Sequence, residues 1–347
     1  MYIINKLIIS TLRSKGFYFR WKISTEQCLD FNLFSIAKFR AFVVKYYRMG
    51  ILDIKMRWYV ARREKYANYD LRFEGVTVER NIRYGERKGQ VFSLYRKSKK
   101  RLPVFVYFHG GALAGRTKGA RRAFCAEIAK LGVAVLNVEY KGEVMLGAKE
   151  CLEECEKILA YLKERSTTLG IDIDRLIFGG DELGAYVASY LATKAENYGI
   201  RPVGVVLFSG YFDAIRHAKE NSYFESQYQF IKKFYKIDLR RASFDNSVST
   251  YLKSMSVTSM VTEDFPSTFI CYSANDEFLP EQSGAMIKAI KQKDVYLWEF
   301  KAVDKVVYHN FHLDRRTKES QVVMEYLSAF IKEAVDGGVY SNEYREI

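Results

Sequence analysis

Residues 176–188 read LIFGGDELGAYVA, and this stretch decides the fold. Its first three residues end an apolar run of the kind that forms a buried strand, and two glycines follow directly. The residues after Leu183 then recur at helical spacing, with Tyr186, Val187, Tyr190 and Leu191 on one face. The pattern predicts a strand, a sharp turn and a helix. Gly180 and Gly184 allow the backbones at this turn to approach closely, because glycine has no Cβ.

The residue at the apex of this turn is Glu182. In the pattern G-x-S-x-G, such a turn raises a serine clear of the sheet top, and the motif is then called a nucleophile elbow. Here Gly180-Asp181-Glu182-Leu183-Gly184 keeps both glycines but places a glutamate where the serine would stand. This difference decides which functions can be inferred from the rest of the sequence.

Length and composition indicate a folded chain with a sizeable core. The 347 residues suffice for one large α/β core with an added element, and 48% apolar and 15% aromatic residues fit a packed globule. No apolar run is long enough to span a bilayer, and the first ten residues show no cleavage site of a signal peptide. We therefore expect a cytoplasmic protein. The five cysteines form no CxxC pair and have no histidine beside them, so we expect free thiols, no metal and no cofactor.

The net charge of +14 is concentrated in residues 1–70, which hold fourteen Lys or Arg against five Asp or Glu, a surplus of nine. Phe34, Ala37, Ala41 and Val44 recur at helical spacing there, so we predict a basic helical N-terminal segment. A solvated basic face is the simpler interpretation, and an anionic membrane surface is the alternative. No nucleic-acid-binding motif accompanies the charge, so we expect no nucleic acid partner.

From residue 71 onward the sequence alternates between strand and helix patterns. Two alternating stretches predict an antiparallel opening pair, and the later β-α alternation predicts a mostly parallel, doubly wound α/β sheet. The predicted strands are 76–82, 90–95, 102–108, 133–138, 175–178, 203–208, 267–273 and 295–300. Residues 211–260 interrupt this alternation with helical stretches rich in Tyr and Lys, which we interpret as an inserted cap within a domain of residues 71–347.

Four short motifs follow strand ends in a fixed order. They are His109-Gly110-Gly111-Ala112, the turn at Gly180–Ala185, Asn275-Asp276-Glu277-Phe278 and Tyr308-His309-Asn310-Phe311. Together they resemble the hormone-sensitive-lipase-like branch of the α/β-hydrolases, whose members are mostly carboxylesterases. The likeness covers about residues 75–335, and Val138-Glu139-Tyr140-Lys141 is similar to the D-Y-R segment of that family.

The resemblance implies a role for each matching residue. Gly110, Gly111 and Leu183 would supply the backbone amides of an oxyanion hole, Asp276 would be the acid of the triad and His309 its base. In such a triad the carboxylate orients the imidazole, and the imidazole takes the proton of the nucleophile. Amides directed at the developing oxyanion stabilise it by a few kcal/mol.

Each of these residues also has a purely structural interpretation. His309 and His312 can be satisfied structural histidines, and Asp276 can cap the helix that follows it. His109 would then brace its own loop, and Asp181 would order the turn. Ser189 and Ser209 carry the nearest hydroxyls along the chain, but neither lies on the sharp turn.

The departure from the family lies at Glu182, with Ala112 in place of the third glycine of the first motif. A glutamate offers no hydroxyl to deprotonate, and attack of its carboxylate on an ester would give an anhydride. Carboxylate nucleophiles do occur on this fold, as aspartate in other branches. We hypothesise that Glu182 occupies the oxyanion hole itself and pairs with charged His309, which would raise the pKa of that imidazole.

Three functions are consistent with these residues. The first is a pseudoenzyme that binds a small apolar or acyl-type ligand without hydrolysing it, since aromatic residues are frequent in the cap. The second is an active hydrolase that uses Glu182 as nucleophile or general base, together with His309 and Asp276. The third is a membrane-surface or protein-interaction module that uses residues 1–70. The sequence leaves the oligomeric state open.

Overall fold

The computed structural model describes residues 67–68, 73–111, 118–140, 147–221, 225–241, 244–276, 280–304 and 307–347. The basic segment of residues 1–70 lies outside this set apart from Ala67 and Asn68. The helical and membrane-surface predictions made for that segment therefore stay predictions. No helix among the described residues is long and apolar enough to cross a membrane.

In the described part of the chain, nine strands form a single mixed sheet in the order β1-β2-β4-β3-β5-β6-β7-β8-β9. β1 pairs antiparallel with β2, and β2 pairs antiparallel with β4. All the remaining neighbours are parallel. The strands are β1 (Thr77–Arg83), β2 (Val91–Arg96), β3 (Leu102–Phe108), β4 (Ala134–Glu139), β5 (Ile171–Asp181), β6 (Gly204–Phe208), β7 (Thr268–Ser273), β8 (Leu297–Ala302) and β9 (Glu343–Glu346). The prediction of a mostly parallel sheet with an antiparallel opening is confirmed.

Helices cover both faces of this sheet. They are α1 (Arg122–Ala129), α2 (Ala148–Leu169), α3 (Leu183–Lys194), α4 (Ala214–Asn221), α5 (Glu225–Phe234), α6 (Asn246–Ser254), α7 (Pro280–Lys291) and α8 (Lys318–Asp336). The buried side chains form two clusters, one on each face. Val104 and Val106 of β3 point into the cluster with α2 and α3, while Phe105 and Tyr107 point into the cluster with α1 and α8. A strand buried on both faces has no polar alternation, which is why β3 reads as a continuous apolar run.

Two features of the sheet differ from the sequence prediction. β5 begins at Ile171 and not at Arg175, because its first residues pair with the start of β3 although they include Asp172 and Asp174. β9 was not predicted. Its four residues are Glu343-Tyr344-Arg345-Glu346, and its parallel pairing with β8 defines it as a strand.

Three helices, α4, α5 and α6, lie between β6 and β7, in the segment that we predicted to be a cap. Its aromatic side chains are buried against one another, and Phe230 stacks on Tyr211 with ring centroids 5.0 Å apart. Five of these aromatic residues belong to the hydrophobic cluster that also contains α2 and α3, namely Tyr211, Phe212, Phe230, Phe234 and Tyr235. Tyr228 is also buried, but the guanidinium of Arg240 lies 3.8 Å from the centre of its ring. Two further cap aromatics, Tyr223 and Phe224, lie outside the described residues.

Candidate functional site

The turn between β5 and α3 has the conformation of a nucleophile elbow. Glu182 has φ 52° and ψ −117°, a positive φ that is rare for a residue with a side chain. A Cβ on Gly180 would lie 2.3 Å from the carbonyl carbon of Gly184, and one on Gly184 would lie 2.0 Å from the carbonyl oxygen of Phe108. Both positions therefore require glycine. As predicted, the close approach of three backbone segments places the side chain of residue 182 at the apex.

The carboxylate of Glu182 is engaged at both of its oxygens. The backbone N–H of Gly111 donates to Oε2 at 2.6 Å, and Nε2 of His309 lies 2.7 Å from Oε1. The amide of Asn310 lies 3.4 Å from the same Oε1. Both contacts that we hypothesised for this side chain are present: Glu182 accepts from an amide of the predicted oxyanion hole, and it faces the imidazole.

His309 lies between two carboxylates. Its Nδ1 is 2.6 Å from Oδ2 of Asp276, on the side of the ring opposite Glu182. Burial disfavours the charged imidazole, but Asp276 and Glu182 together outweigh burial and raise the pKa of His309 to about 9. The imidazole is therefore protonated at neutral pH, and it donates one N–H to each carboxylate.

The geometry at Asp276 speaks against the interpretation as a helix cap. α7 begins at Pro280, four residues further along, whereas the carboxylate of Asp276 contacts His309 directly. The side chain of Asp276 is 1% exposed and that of His309 is 8% exposed. Asp276, His309 and Glu182, drawn from three distant parts of the sequence, thus meet in one largely buried row.

The loop after β3 lies against the elbow. A Cβ on Gly110 would lie 2.6 Å from Oδ2 of Asp181 and 2.7 Å from Cβ of Glu182, so this loop can pack on the elbow only with glycine at position 110. His109 braces the loop as predicted, with Nδ1 2.8 Å from the carbonyl of Gly110 and Nε2 2.9 Å from Oε1 of Glu139. Gly111 contributes the amide that binds Glu182.

Leu183 is the first residue of α3 and directly follows Glu182. Its amide belongs to the first helical turn, whose N–H groups have no partner within the helix. The donor roles assigned to Gly110 and Leu183 stay predictions.

A buried ion pair that the sequence did not reveal lies directly behind the elbow. Arg121 and Asp181 are both fully buried, and the guanidinium donates to Oδ1 at 3.0 Å and to Oδ2 at 2.6 Å. Tyr107 donates to Oδ1 at 2.8 Å, and Asn310 donates to Oδ2 at 3.2 Å. Burial opposes ionisation of Asp181, yet the Arg121 charge and these donors hold its pKa below the usual range. Asp181 orders the turn, as predicted.

Asn310 links this ion pair to the candidate site. It has φ 52°, a left-handed conformation that asparagine tolerates better than most residues, and its amide reaches both Asp181 and Glu182. The signal in the sequence was its place directly after His309. Arg121 had no comparable signal, since it stands in the polar stretch Lys118–Arg122.

The structure also gives an environment to the remaining candidates. The hydroxyl of Ser189 donates to the carbonyl of Tyr186 within α3, one turn back along the helix. Ser209 follows β6 on a different turn, where its backbone N–H donates to the carbonyl of Cys271. His312 is buried and stacks on Phe208 with ring centroids 3.7 Å apart, as expected of a structural histidine.

Solved structures of several esterases share this fold. Esterase B from Lactobacillus rhamnosis superposes with a TM-score of 0.67 at 18% identity, covering 84% of this chain and 97% of the esterase. A bacterial heroin esterase gives 0.66 at 20% identity, covering 83% and 93%. The hyperthermophilic esterase from Pyrobaculum calidifontis gives 0.63 at 18% identity, covering 83% and 94%. At these identities the likeness establishes the fold alone.

Similar sequences match shorter stretches. Lipase 2 of Moraxella sp. (strain TA144) is 29% identical over 101 residues, which are 29% of this chain and 22% of the lipase. Hydrolase 3 of Catharanthus roseus is 26% identical over 161 residues, which are 38% of this chain and 49% of the hydrolase. The chain thus spans at most about half the length of these curated relatives.

A model of a protein family described by its alpha/beta hydrolase fold matches residues 105–313, which is more than half of the chain and includes all four motifs. The predicted resemblance is confirmed at this level. The chain belongs to this family of proteins with the alpha/beta hydrolase fold.

Proposed function

We propose that this chain is a pseudoenzyme of the esterase-like α/β-hydrolase fold that binds a small apolar or acyl-type ligand without hydrolysing it. One observation carries the proposal: the carboxylate of Glu182 bridges the amide of Gly111 and the imidazole of His309. Ester hydrolysis on this fold needs a nucleophile, a base and an oxyanion hole, and this bridge affects all three.

The nucleophile is the first part that the bridge affects. The apex of the elbow carries a carboxylate and no hydroxyl, and both of its oxygens are engaged by N–H donors. Donation of hydrogen bonds to a carboxylate stabilises its charge and weakens it as a nucleophile. The alternative of an active hydrolase that attacks through Glu182 therefore has to break the contact with Gly111 or with His309 first.

The general base is the second part that the bridge affects. A general base must be unprotonated before the reaction, but the two flanking carboxylates raise the pKa of His309 to about 9. At neutral pH the imidazolium already holds the proton that the nucleophile would have delivered. Its Nε2, which would receive that proton in a triad, faces Glu182 at 2.7 Å.

The oxyanion hole is the third part that the bridge affects. The oxyanion of a tetrahedral intermediate would have to occupy the position of Oε2 of Glu182, 2.6 Å from the amide of Gly111. A resident negative charge at this position excludes a second one by Coulomb repulsion, which is strong in a buried site. The site accordingly favours ligands that are neutral in the group nearest to Glu182.

The test compares ester hydrolysis by four forms of the full chain on p-nitrophenyl acetate and butyrate. These are the native chain, His309→Ala, Glu182→Ser and the double variant. We expect the native chain and His309→Ala to be equally slow. We expect Glu182→Ser to hydrolyse the esters at least about tenfold faster, because a positioned general base alone contributes about 10²-fold or more. The double variant should lose this gain.

Turnover by the native chain that disappears in His309→Ala would reject the pseudoenzyme and favour the active hydrolase. Binding is tested separately, by calorimetric titration of the native chain with neutral ketones of matching chain length, which cannot be hydrolysed. Absence of binding across such a series would reject the proposed ligand class.

A further inference from the structure

The two edges of the sheet differ in how they are protected. β1 has an irregular register between Glu79 and Ile82, where Asn81 takes a φ of 56°. A bulged edge strand resists pairing with another chain. β9, at the other edge, pairs with β8 in regular register, and its four side chains are all exposed. Among the described residues, the β9 edge is therefore the one that remains competent for pairing.

Exposed apolar side chains collect at the same edge. Of the five large hydrophobic residues that are exposed in the described part of the chain, four lie at the ends of β8 or on and before β9. They are Tyr296, Val303, Tyr340 and Tyr344. Tyr340 is 73% exposed and packs edge-on against Tyr296, with ring centroids 6.4 Å apart. Exposed large apolar side chains gathered at one edge of a sheet favour contact with another protein surface.

The hydrogen bonds to β8 determine which backbone groups of β9 are free. Ile347 donates to the carbonyl of Lys301 and accepts from the amide of Val303, so its N–H and C=O both point toward β8. Successive residues of a strand alternate in this respect. The N–H and C=O groups of Asn342, Tyr344 and Glu346 consequently point outward, away from the sheet.

We propose that a second copy of this chain pairs with the β9 edge in antiparallel fashion, about a two-fold axis at Tyr344. A regular antiparallel ladder between two identical strands requires outward-pointing residues to face each other. Four residue-centred registers satisfy this condition, with the axis at position 343, 344, 345 or 346. An axis between two residues would set an outward-pointing residue against an inward-pointing one.

Charge selects one of these four registers. An axis at Glu343, Arg345 or Glu346 places two like charges directly opposite each other, which destabilises a sheet. With the axis at Tyr344, Glu343 of each copy lies opposite Arg345 of the other copy, so two opposite-charge pairs form. The two Tyr344 residues then exchange both of their outward backbone hydrogen bonds. This register is the self-complementary one.

The side chains are available for these contacts. Within the described residues Glu343 has no hydrogen-bond or ion-pair partner for its carboxylate, although it sits on a chain with a net charge of +14. Arg345 lies over the ring of Tyr326 at 4.8 Å and donates one of its five guanidinium N–H groups to the Tyr326 hydroxyl at 2.6 Å, which holds the guanidinium on the face of the sheet that Glu343 shares. Each copy thus offers the carboxylate of Glu343 and the guanidinium of Arg345 to the other copy.

The test is a charge-swap experiment on the full chain, with the dissociation constant measured by sedimentation velocity over a range of protein concentrations. We expect the native chain to form a dimer. Glu343→Arg and Arg345→Glu should each raise the dissociation constant by about tenfold or more, because two cross-strand pairs turn from attractive to repulsive. The double variant Glu343→Arg/Arg345→Glu should return it to within about threefold of the native value, since the same pairs form with exchanged signs.

The matched control is Arg80→Glu, a charge reversal on the exposed β1 at the opposite edge, which should leave the dissociation constant unchanged. Far-ultraviolet circular dichroism and thermal unfolding verify that each variant is folded. A native chain that stays monomeric, a dimer that no β9 variant weakens, or single variants that the double variant does not rescue would each overturn the proposal.

Discussion

Oε1 of Glu182 lies 2.7 Å from Nε2 of His309, and Oδ2 of Asp276 lies 2.6 Å from Nδ1 on the other side of the same ring. The imidazole is thus held as a cation between two anions, whereas a serine triad keeps it neutral at rest. The third partner in this row is the amide of Gly111, which binds the far oxygen of Glu182. The predictions that concern the site rest on this arrangement of one cation between two anions.

The first prediction concerns the titration of His309. In the native chain its imidazole should titrate with a pKa of about 9, measured by NMR of the ring protons and assigned by comparison with His309→Gln. Glu182→Gln keeps the shape of the side chain but removes one of the two anions. We expect it to lower the pKa of His309 by about one unit or more.

The control for this titration is Glu196→Gln, which removes an exposed carboxylate that pairs with Arg201 on the protein surface. It should leave the pKa of His309 unchanged. A native His309 that titrates near 6.5, its ordinary value, would show that Glu182 does not hold the imidazolium in solution.

The second prediction is a pH dependence of stability. The pKa of His309 is raised from 6.5 to about 9 on folding, so the folded state binds the proton more tightly than the unfolded state. The associated stabilisation is fully present below pH 6.5 and is lost as the pH rises through about 9. It amounts to roughly 3 to 4 kcal/mol at most, since one pKa unit corresponds to about 1.4 kcal/mol.

Urea unfolding at a series of pH values between 6.5 and 9 measures this loss. Glu182→Gln should give a flatter curve, because less of the pKa difference between folded and unfolded chain remains. Burial also raises the pKa of the thiols of Cys125 and Cys271, which adds a further loss of stability at higher pH. A native chain whose unfolding free energy stays constant over the measured range would contradict the prediction.

Much of this site could be predicted from the sequence because its parts are set by local chemistry. The elbow follows from the spacing of Gly180 and Gly184, since no other residue type fits two backbones at that distance. The contact of Glu182 with His309 follows from the order of the four motifs and from the charge of a carboxylate beside an imidazole. These features depend on residue types at fixed positions.

The features that were missed depend on distant contacts. β9 has three charged residues in four, and it is a strand because β8 offers an open edge to pair with. The burial of Arg121 likewise requires Asp181, sixty positions along the chain, and a polar stretch of sequence gives no indication of such a partner. The burial of the cap aromatics reflects packing among three helices, which composition alone could not distinguish from a pocket lining.

The third prediction concerns the buried pair behind the elbow. Arg121→Met leaves the carboxylate of Asp181 buried without its countercharge, and we expect a loss of about 3–5 kcal/mol in unfolding free energy. The double variant Arg121→Met/Asp181→Asn removes both charges and should be more stable than Arg121→Met alone. Urea unfolding of the native chain, the two single variants and the double variant gives the coupling between the two residues. Additive single effects would show that the pair is not coupled.

The fourth prediction tests the close approach at the elbow with two helical glycines that have different surroundings. Gly184 is the second residue of α3, and a Cβ there would meet the carbonyl oxygen of Phe108 at 2.0 Å. Gly284 lies inside α7, and a Cβ there would meet nothing within 4 Å. We expect Gly184→Ala to lower the unfolding free energy by about 1–3 kcal/mol, because backbone must move to make room. We expect Gly284→Ala to raise it by about 0.5–1 kcal/mol, because alanine favours a helix over glycine by this amount.

Gly184→Ala should also push the loop of Gly111 away from Glu182, so the pKa of His309 should change in this variant and not in Gly284→Ala. Equal stability of the two variants would mean that β3 and the elbow are not in contact in solution.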